Sequence, residues 1–325
     1  MIRAPQFVPP RYLRNAHLQT VLNSQGPRRL RAGRIRRRLP TEALTLQAVD
    51  GTRLLAEFDL APEPRRALVI LLHGWEGSSQ SSYMITTASR LLSEGLDVLR
   101  VNLRDHGESH HLNRELFNST RSPEVASALE SFIGKHDYER IFICGFSLGA
   151  SFALRIAADS GVDLGLDGAV AICPPVDPAR AMDALNTGLF VYERYFFTRW
   201  RQSLVRKLEY FPELDYSAEL EQARSIDDLN RMFVPKHTIY ATVDEYFAAY
   251  AVIGDRLASL AMPATIVATI DDPIIPVDDF RRIDPIELLD IEIQRFGGHC
   301  GFIESLTARS WIETRMIEIL HRYGC

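Results

Sequence analysis

A chain of 325 residues can bury a large core, and 46% apolar against 24% charged residues is the composition of an ordinary globular domain. Its longest apolar runs, such as Ala67–Leu72 and Ala169–Cys173, are strand-length, which excludes a bilayer-spanning helix. The net charge of −5 conceals an asymmetry: residues 1–40 carry ten arginines and no acid, leaving −15 for the rest. That basic segment (Arg3, Arg11, Arg14, Arg28, Arg29, Arg31, Arg34, Arg36, Arg37, Arg38) reads as an extension folded back over an acidic body. Peripheral contact with an anionic membrane is the alternative, and no nucleic-acid partner is expected. Cys144, Cys173, Cys300 and Cys325 lack metal-ligand or disulfide spacing. No secretory h-region precedes the first prolines, so the expected compartment is the cytoplasm.

In chain order, Leu44–Val49 and Leu54–Leu60 flank Asp50-Gly51, the chemistry of a tight hairpin turn. Ala67–Leu72 predicts a strand buried on both faces. A helix over Ser81–Glu94 and a strand over Val98–Asn102 follow, and Pro123 opens a helix with Glu124 in its first turn. Then come the strand Ile141–Cys144, a helix from Ser147 and the strand Gly168–Cys173. Residues 175–261 break this alternation with an aromatic-rich, helical pattern. Strands return at Ala264–Ile270 and Leu289–Phe296, before a final helix over Ser305–Tyr323. The expectation is an α/β-hydrolase fold: a mostly parallel, twisted sheet flanked by helices. Residues 44–174 and 262–325 form its core, 1–43 pack on that core, and 175–261 are a helical cap over the sheet's C-terminal edge, where ligands bind.

Gly145-Phe146-Ser147-Leu148-Gly149 stands between a strand and a helix. There a serine sits on a sharp turn that lifts Oγ above the sheet, and the glycines let strand and helix approach. The hydroxyl needs a base. Beyond the cap only His299 and His321 remain. His299 lies in the glycine-rich loop Phe296–Phe302, whereas His321, near a helix C-terminus, is explained by the helix dipole. Of the neighbours Asp271 and Asp272, Asp272 is favoured as the orienting acid because Pro273 stiffens the turn behind it. The oxyanion donors are expected to be the N–H groups of Leu148 and of Trp75, in His73-Gly74-Trp75-Glu76-Gly77. His73 reads as a structural hydrogen-bonder in that turn. Asp105, His106, His110 and His111 read as loop and pocket-wall residues, with no metal or cofactor expected. The cap aromatics Phe190, Tyr192, Tyr195, Phe196, Phe197, Trp200, Phe211, Tyr246, Phe247 and Tyr250 form its own core, part of it lining an acyl tunnel.

These segments resemble a known family. Pro9-Pro10-Arg11-Tyr12-Leu13-Arg14-Asn15-Ala16-His17-Leu18-Gln19-Thr20 is similar to the opening motif of the YheT-like hydrolases. Those are bacterial relatives of eukaryotic α/β-hydrolase-domain lipid esterases and medium-chain acyl ester synthases. His73–Gly77, Gly145–Gly149, Asp271–Pro273 and Gly297–Phe302 resemble further segments, so the likeness runs from about residue 7 to the end. The resemblance implies an esterase acting on small-molecule acyl esters with Ser147, Asp272 and His299 as its triad and no metal. Two segments depart from the family pattern, Ser225–Asn230 in the cap and Arg104-Asp105-His106-Gly107. Two alternatives stay open: acyl transfer to an alcohol or thiol, and a non-catalytic ligand-binding protein on the same fold.

Overall fold

A computed structural model of the chain describes residues 5–63, 66–307 and 309–325. Arg3, counted in the basic segment, lies outside the described residues. Two helices open the chain, α1 (Ala16–Leu22) and α2 (Pro27–Arg36). The hairpin β1 (Thr41–Gln47) and β2 (Arg53–Asp59) leads into β3 (Ala67–Leu72), α3 (Ser82–Leu92), β4 (Asp97–Val101), α4 (Ser122–Ile133), β5 (Arg140–Phe146), α5 (Leu148–Ser160) and β6 (Gly168–Ile172). Between β6 and β7 stand α6 (Pro178–Thr187), α7 (Phe190–Tyr210), α8 (Ser217–Gln222), α9 (Ile226–His237) and α10 (Val243–Tyr250). The chain closes with β7 (Ala264–Thr269), β8 (Leu289–Gln294) and α11 (Trp311–Arg322).

The eight strands form one sheet in the order β1-β2-β4-β3-β5-β6-β7-β8. Pairing is antiparallel on both sides of β2 and parallel from β4 onward. This is the fold class read from the sequence. The reason shows in β3, whose six residues are all buried. Leu68, Ile70 and Leu72 join one core with Val125 and Leu129 of α4 and Phe152 of α5. Ala67, Val69 and Leu71 face the other, with Met84 and Leu91 of α3 and Met316 and Leu320 of α11. An unbroken apolar run with a period of two feeds both layers, as a doubly covered parallel strand must. At the hairpin, Gly51 takes φ +86° and Asp50 Oδ1 accepts the Thr52 N–H, which makes the tight turn affordable.

The final helix starts at Trp311, six residues later than its pattern suggests. Ile303 bridges Ser310, Glu304 N–H donates to Arg309 O and Trp311 N–H to Phe302 O. Ile303 and Ser310 thus pair antiparallel before the helix begins. In the N-terminal segment, α2 packs on α3 and buries Arg28 fully. Its guanidinium donates to Glu313 Oε1 at 2.8 Å, Asn23 Oδ1 at 2.7 Å and Thr86 Oγ1 at 3.1 Å. Arg11, Arg14, Arg29, Arg34, Arg36, Arg37 and Arg38 are exposed. Among the described residues no helix is long and apolar enough to cross a membrane.

Helices α7, α8 and α9 share a small core of their own, containing Phe197, Leu204, Leu220, Leu229 and Phe233. They are tied to the loop after β4 by Lys207 of α7, which is 1% exposed and donates to Asp105 Oδ1 at 2.6 Å and Glu115 O at 3.3 Å. Removing one member of a buried ion pair leaves the other charge uncompensated. Lys207→Ala is therefore expected to cost about 3–5 kcal/mol, read from the urea midpoint, and adding Asp105→Asn should recover part of the loss.

Candidate active site

The turn between β5 and α5 carries Ser147 at φ +51° and ψ −122°, a region costly for any side chain. Close packing on both sides holds it there. A Cβ on Gly145 would lie 2.2 Å from Gly149 O, and one on Gly149 2.4 Å from His73 O. The Ser147 N–H donates to Ile172 O of β6 at 2.8 Å, which pins the turn to the sheet. Helix α5 starts at the next residue, so its positive dipole end faces the serine.

The His299 ring reaches this serine from the loop after β8. Nε2 lies 2.8 Å from Ser147 Oγ, and Nδ1 lies 2.8 Å from Asp272 Oδ2. Asp272, not Asp271, makes this contact. Its other oxygen accepts the N–H groups of Ile274 at 2.8 Å and Ile275 at 3.0 Å, so the turn stiffened by Pro273 also orients the carboxylate. Asp271 Oδ1 instead accepts the Gly298 N–H at 2.9 Å and caps the histidine loop. Burial acts to lower the His299 pKa, but the Asp272 carboxylate overrides it and holds the imidazolium well above the ordinary histidine range. Such a chain can take a proton from a hydroxyl and stabilise the cation that results.

The early loop closes the other side. A Cβ on Gly74 would stand 3.1 Å from Ser147 Cβ, so Trp75 follows directly beside Ser147. The Gly74 N–H is taken by Tyr83 Oη at 2.9 Å. Among the described residues the N–H groups of Trp75 and Leu148 donate to nothing, and both residues line the cleft with Ser147. His73 has the structural part read from the sequence. Its Nδ1–H donates to Gly74 O at 2.8 Å, Nε2 accepts the Leu103 N–H at 3.1 Å, and burial brings its pKa to about 3.

The cleft holds about 770 Å³ of empty space, its open mouth included. The cap aromatics divide. Phe196, Trp200, Tyr246, Phe247 and Tyr250 line the cleft, Phe197 belongs to the insertion's own core, and Phe190 and Tyr195 are exposed at 72% and 46%. Phe117 and Asn230 also line it. Asn230 ends the segment that departs from the family pattern, a usable signal. Phe117 sits in a loop whose sequence gives no hint of the site.

Asp105, His106, His110 and His111 do not converge. His106 donates from Nδ1 to Arg104 O, His110 Nε2 meets Ser203 Oγ, His111 lies against Tyr210, and Asp105 pairs with Lys207. Among the described residues the atoms best grouped for a metal belong to Cys173, His299 and Cys300, within 4.8 Å of one another. Both His299 nitrogens are already engaged, which leaves two thiols, fewer than the four ligands of a closed zinc site.

Because the space at Gly145 and Gly149 is filled by backbone, an added methyl cannot be absorbed by a rotamer change. Gly145→Ala and Gly149→Ala should each fail to give soluble, cooperatively unfolding protein. Gly33→Ala, in α2 with nothing within 4 Å of the new methyl, should gain up to about 1 kcal/mol. Thermal denaturation of the three variants checks the contrast.

A family model described as "Alpha/beta hydrolase family" matches residues 69–308. The chain is 25% identical to the Escherichia coli (strain K12) protein named "Putative esterase YheT", over 98% of this chain and 94% of that one. It is 24% identical to an "Abhydrolase domain-containing protein" of Dictyostelium discoideum, over 98% of this chain and 81% of that one. In backbone it is similar to the Pyrococcus furiosus esterase Pf2001, with a TM-score of 0.59 at 17% identity, covering 99% and 98% of the two chains. With the matching model spanning most of the sheet and the insertion, the chain belongs to the alpha/beta hydrolase family, in its YheT-like branch.

Proposed function

We propose that the protein cleaves carboxylic (acyl) esters through an acyl-enzyme on Ser147, with His299 as the base and Asp272 as the residue that orients it. The observation carrying this reading is the chain from Ser147 Oγ through both nitrogens of His299 to Asp272, 2.8 Å at each step. Ser147 Oγ attacks the ester carbonyl carbon while Nε2 takes its proton, and the carbonyl electron pair moves onto oxygen. The free N–H groups of Trp75 and Leu148 receive that oxyanion. Collapse re-forms the carbonyl, and the imidazolium protonates the departing alcohol. Water, deprotonated in turn by His299, attacks the acyl carbon, and Ser147 leaves with its proton restored.

The aromatic lining from Trp75, Phe196, Trp200 and Phe247 supports an apolar acyl group. The relative named an esterase supports the same reaction class. Medium-chain p-nitrophenyl esters should be turned over with a higher kcat/KM than the acetate, and equal values would remove the acyl-cleft assignment.

Fluorophosphonate should label Ser147 and nothing else. Label should be absent from Ser147→Ala and slowed by orders of magnitude in His299→Ala, and an unlabelled, well-folded wild type would overturn the reading. Turnover should fall by about 10⁶ in Ser147→Ala and by about 10⁴ in Asp272→Asn.

The pH profile follows from the raised His299 pKa. Only neutral imidazole accepts a proton, so activity is absent below that pKa and appears as pH rises through it. The ascending limb of kcat/KM should thus lie alkaline of the ordinary histidine value of 6.5. In Asp272→Asn the largest attraction raising it is gone while burial persists, so the limb should move to lower pH.

A further inference from the structure

The motif Asn15–Thr20 plays no part in the chemistry proposed above, yet it lies against the histidine loop. Asn15 caps α1, its Oδ1 accepting the Leu18 N–H at 3.0 Å. Thr20 Oγ1 donates to Ala16 O at 2.8 Å, so its proton is committed within the helix and a lone pair is left to accept. That lone pair takes the backbone N–H of His299 at 2.9 Å. One residue earlier, Gln19 is fully buried. Its Nε2 donates to Leu13 O at 2.7 Å and Ile303 O at 3.1 Å, and its Oε1 accepts the Ile303 N–H at 2.6 Å. Gln19 thereby grips the loop four residues past the histidine.

The loop is shaped to fit this helix. A Cβ on Gly298, which has φ +53°, would stand 2.3 Å from Ala16 O, and one on Gly301 2.4 Å from Gln19 O. From the opposite side, Thr269 Oγ1 donates to Gly298 O at 3.0 Å and Asp271 accepts the Gly298 N–H. Those contacts end at Gly298. Among the described residues, the bond to the backbone N–H of His299 itself comes from Thr20.

Helix α1 has a second neighbour. His17 Nδ1 lies 2.9 Å from Tyr192 Oη on α7. Tyr192, Phe196 and Trp200 follow at intervals of four, so they share one face of α7, and the latter two line the cleft. Helix α1 therefore sits between the loop carrying the base and the helix that walls the substrate space.

We propose that Thr20 and Gln19 are positioning residues that set the His299 backbone, so that its ring meets Ser147 and Asp272 at once, and that α1 links this alignment to α7. The proposal rests on the reading of His299 as the base. Its physical content is that a geometric error of about 1 Å at a reacting group costs about 10²-fold in rate. Thr20→Val keeps the shape of the side chain and removes the acceptor, whereas Thr20→Ser restores it.

The test compares the wild type, Thr20→Val, Thr20→Ser and Glu313→Gln, the last removing the buried charge paired with Arg28, away from the cleft. Each is measured for fluorophosphonate labelling rate at Ser147, for kcat and KM on p-nitrophenyl butyrate, and for melting temperature. The expected result is a fall of about 10²-fold in labelling rate and kcat for Thr20→Val, with KM little changed. Thr20→Ser should return near wild type, and Glu313→Gln should melt earlier yet label at the wild-type rate. Wild-type kinetics in Thr20→Val would overturn the proposal. So would slowing in Thr20→Val and Glu313→Gln in proportion to their loss of melting temperature, which would make the contact merely structural. A wild type that does not label removes the parent reading of His299, and the proposal with it, on the control alone.

Discussion

The structure turns on one tight contact, the reversal of the chain between β5 and α5. Within two residues the backbone leaves the sheet and enters a helix, which places Ser147 at positive φ and brings the Gly149 carbonyl against Gly145. Such a conformation persists only where its surroundings over-determine it. Here they do so through the Ile172 carbonyl, the packed ends of β3 and β6, and the apolar face of α5. What the strain gains is geometric: the hydroxyl stands at the C-terminal edge of the parallel part of the sheet, beside a helix N-terminus and the N–H groups of Trp75 and Leu148. In open α/β sheets ligands bind at that edge.

Around that point the same residue type is tuned in opposite directions. Burial brings His73 to about 3 and His106 to about 4, because their neighbours are carbonyls, amides and another ring. His299 is buried as well, yet its pKa rises, because Asp272 stands 2.8 Å from Nδ1. Neutral imidazoles make structural hydrogen bonds, and one imidazole able to carry charge faces the serine. The carboxylate that separates the two behaviours is oriented by the backbone N–H groups of Ile274 and Ile275.

The helical insertion lines the cleft beside Ser147. Its aromatics divide by helical phase: the Tyr192, Phe196 and Trp200 face of α7 turns toward the cleft and α1, while Phe197 and Leu204 pack among α8 and α9. The buried pair of Lys207 and Asp105 ties this helix to the loop after β4. The insertion, the histidine loop and the N-terminal helices therefore form a connected set of contacts around Ser147.

Much of this was legible in the residues themselves. An apolar run such as Ala67–Leu72, closed by His-Gly, is what a strand covered on both faces requires, and a serine between glycines at a strand-to-helix junction is what a sharp turn requires. Those are local constraints, carried by period and steric size. The pairing of His299 with a serine 152 positions earlier rests on the order of segments along the chain, and the choice of Asp272 over Asp271 on the proline beside it. Other features have no local signature. The start of α11 at Trp311 depends on a bridge between Ile303 and Ser310. The burial of Arg28 depends on Glu313, 285 residues away. The grip of Thr20 on His299 spans 279 residues. Period and propensity report what a segment can become on its own, whereas these contacts exist only once the sheet has brought the two ends of the chain together.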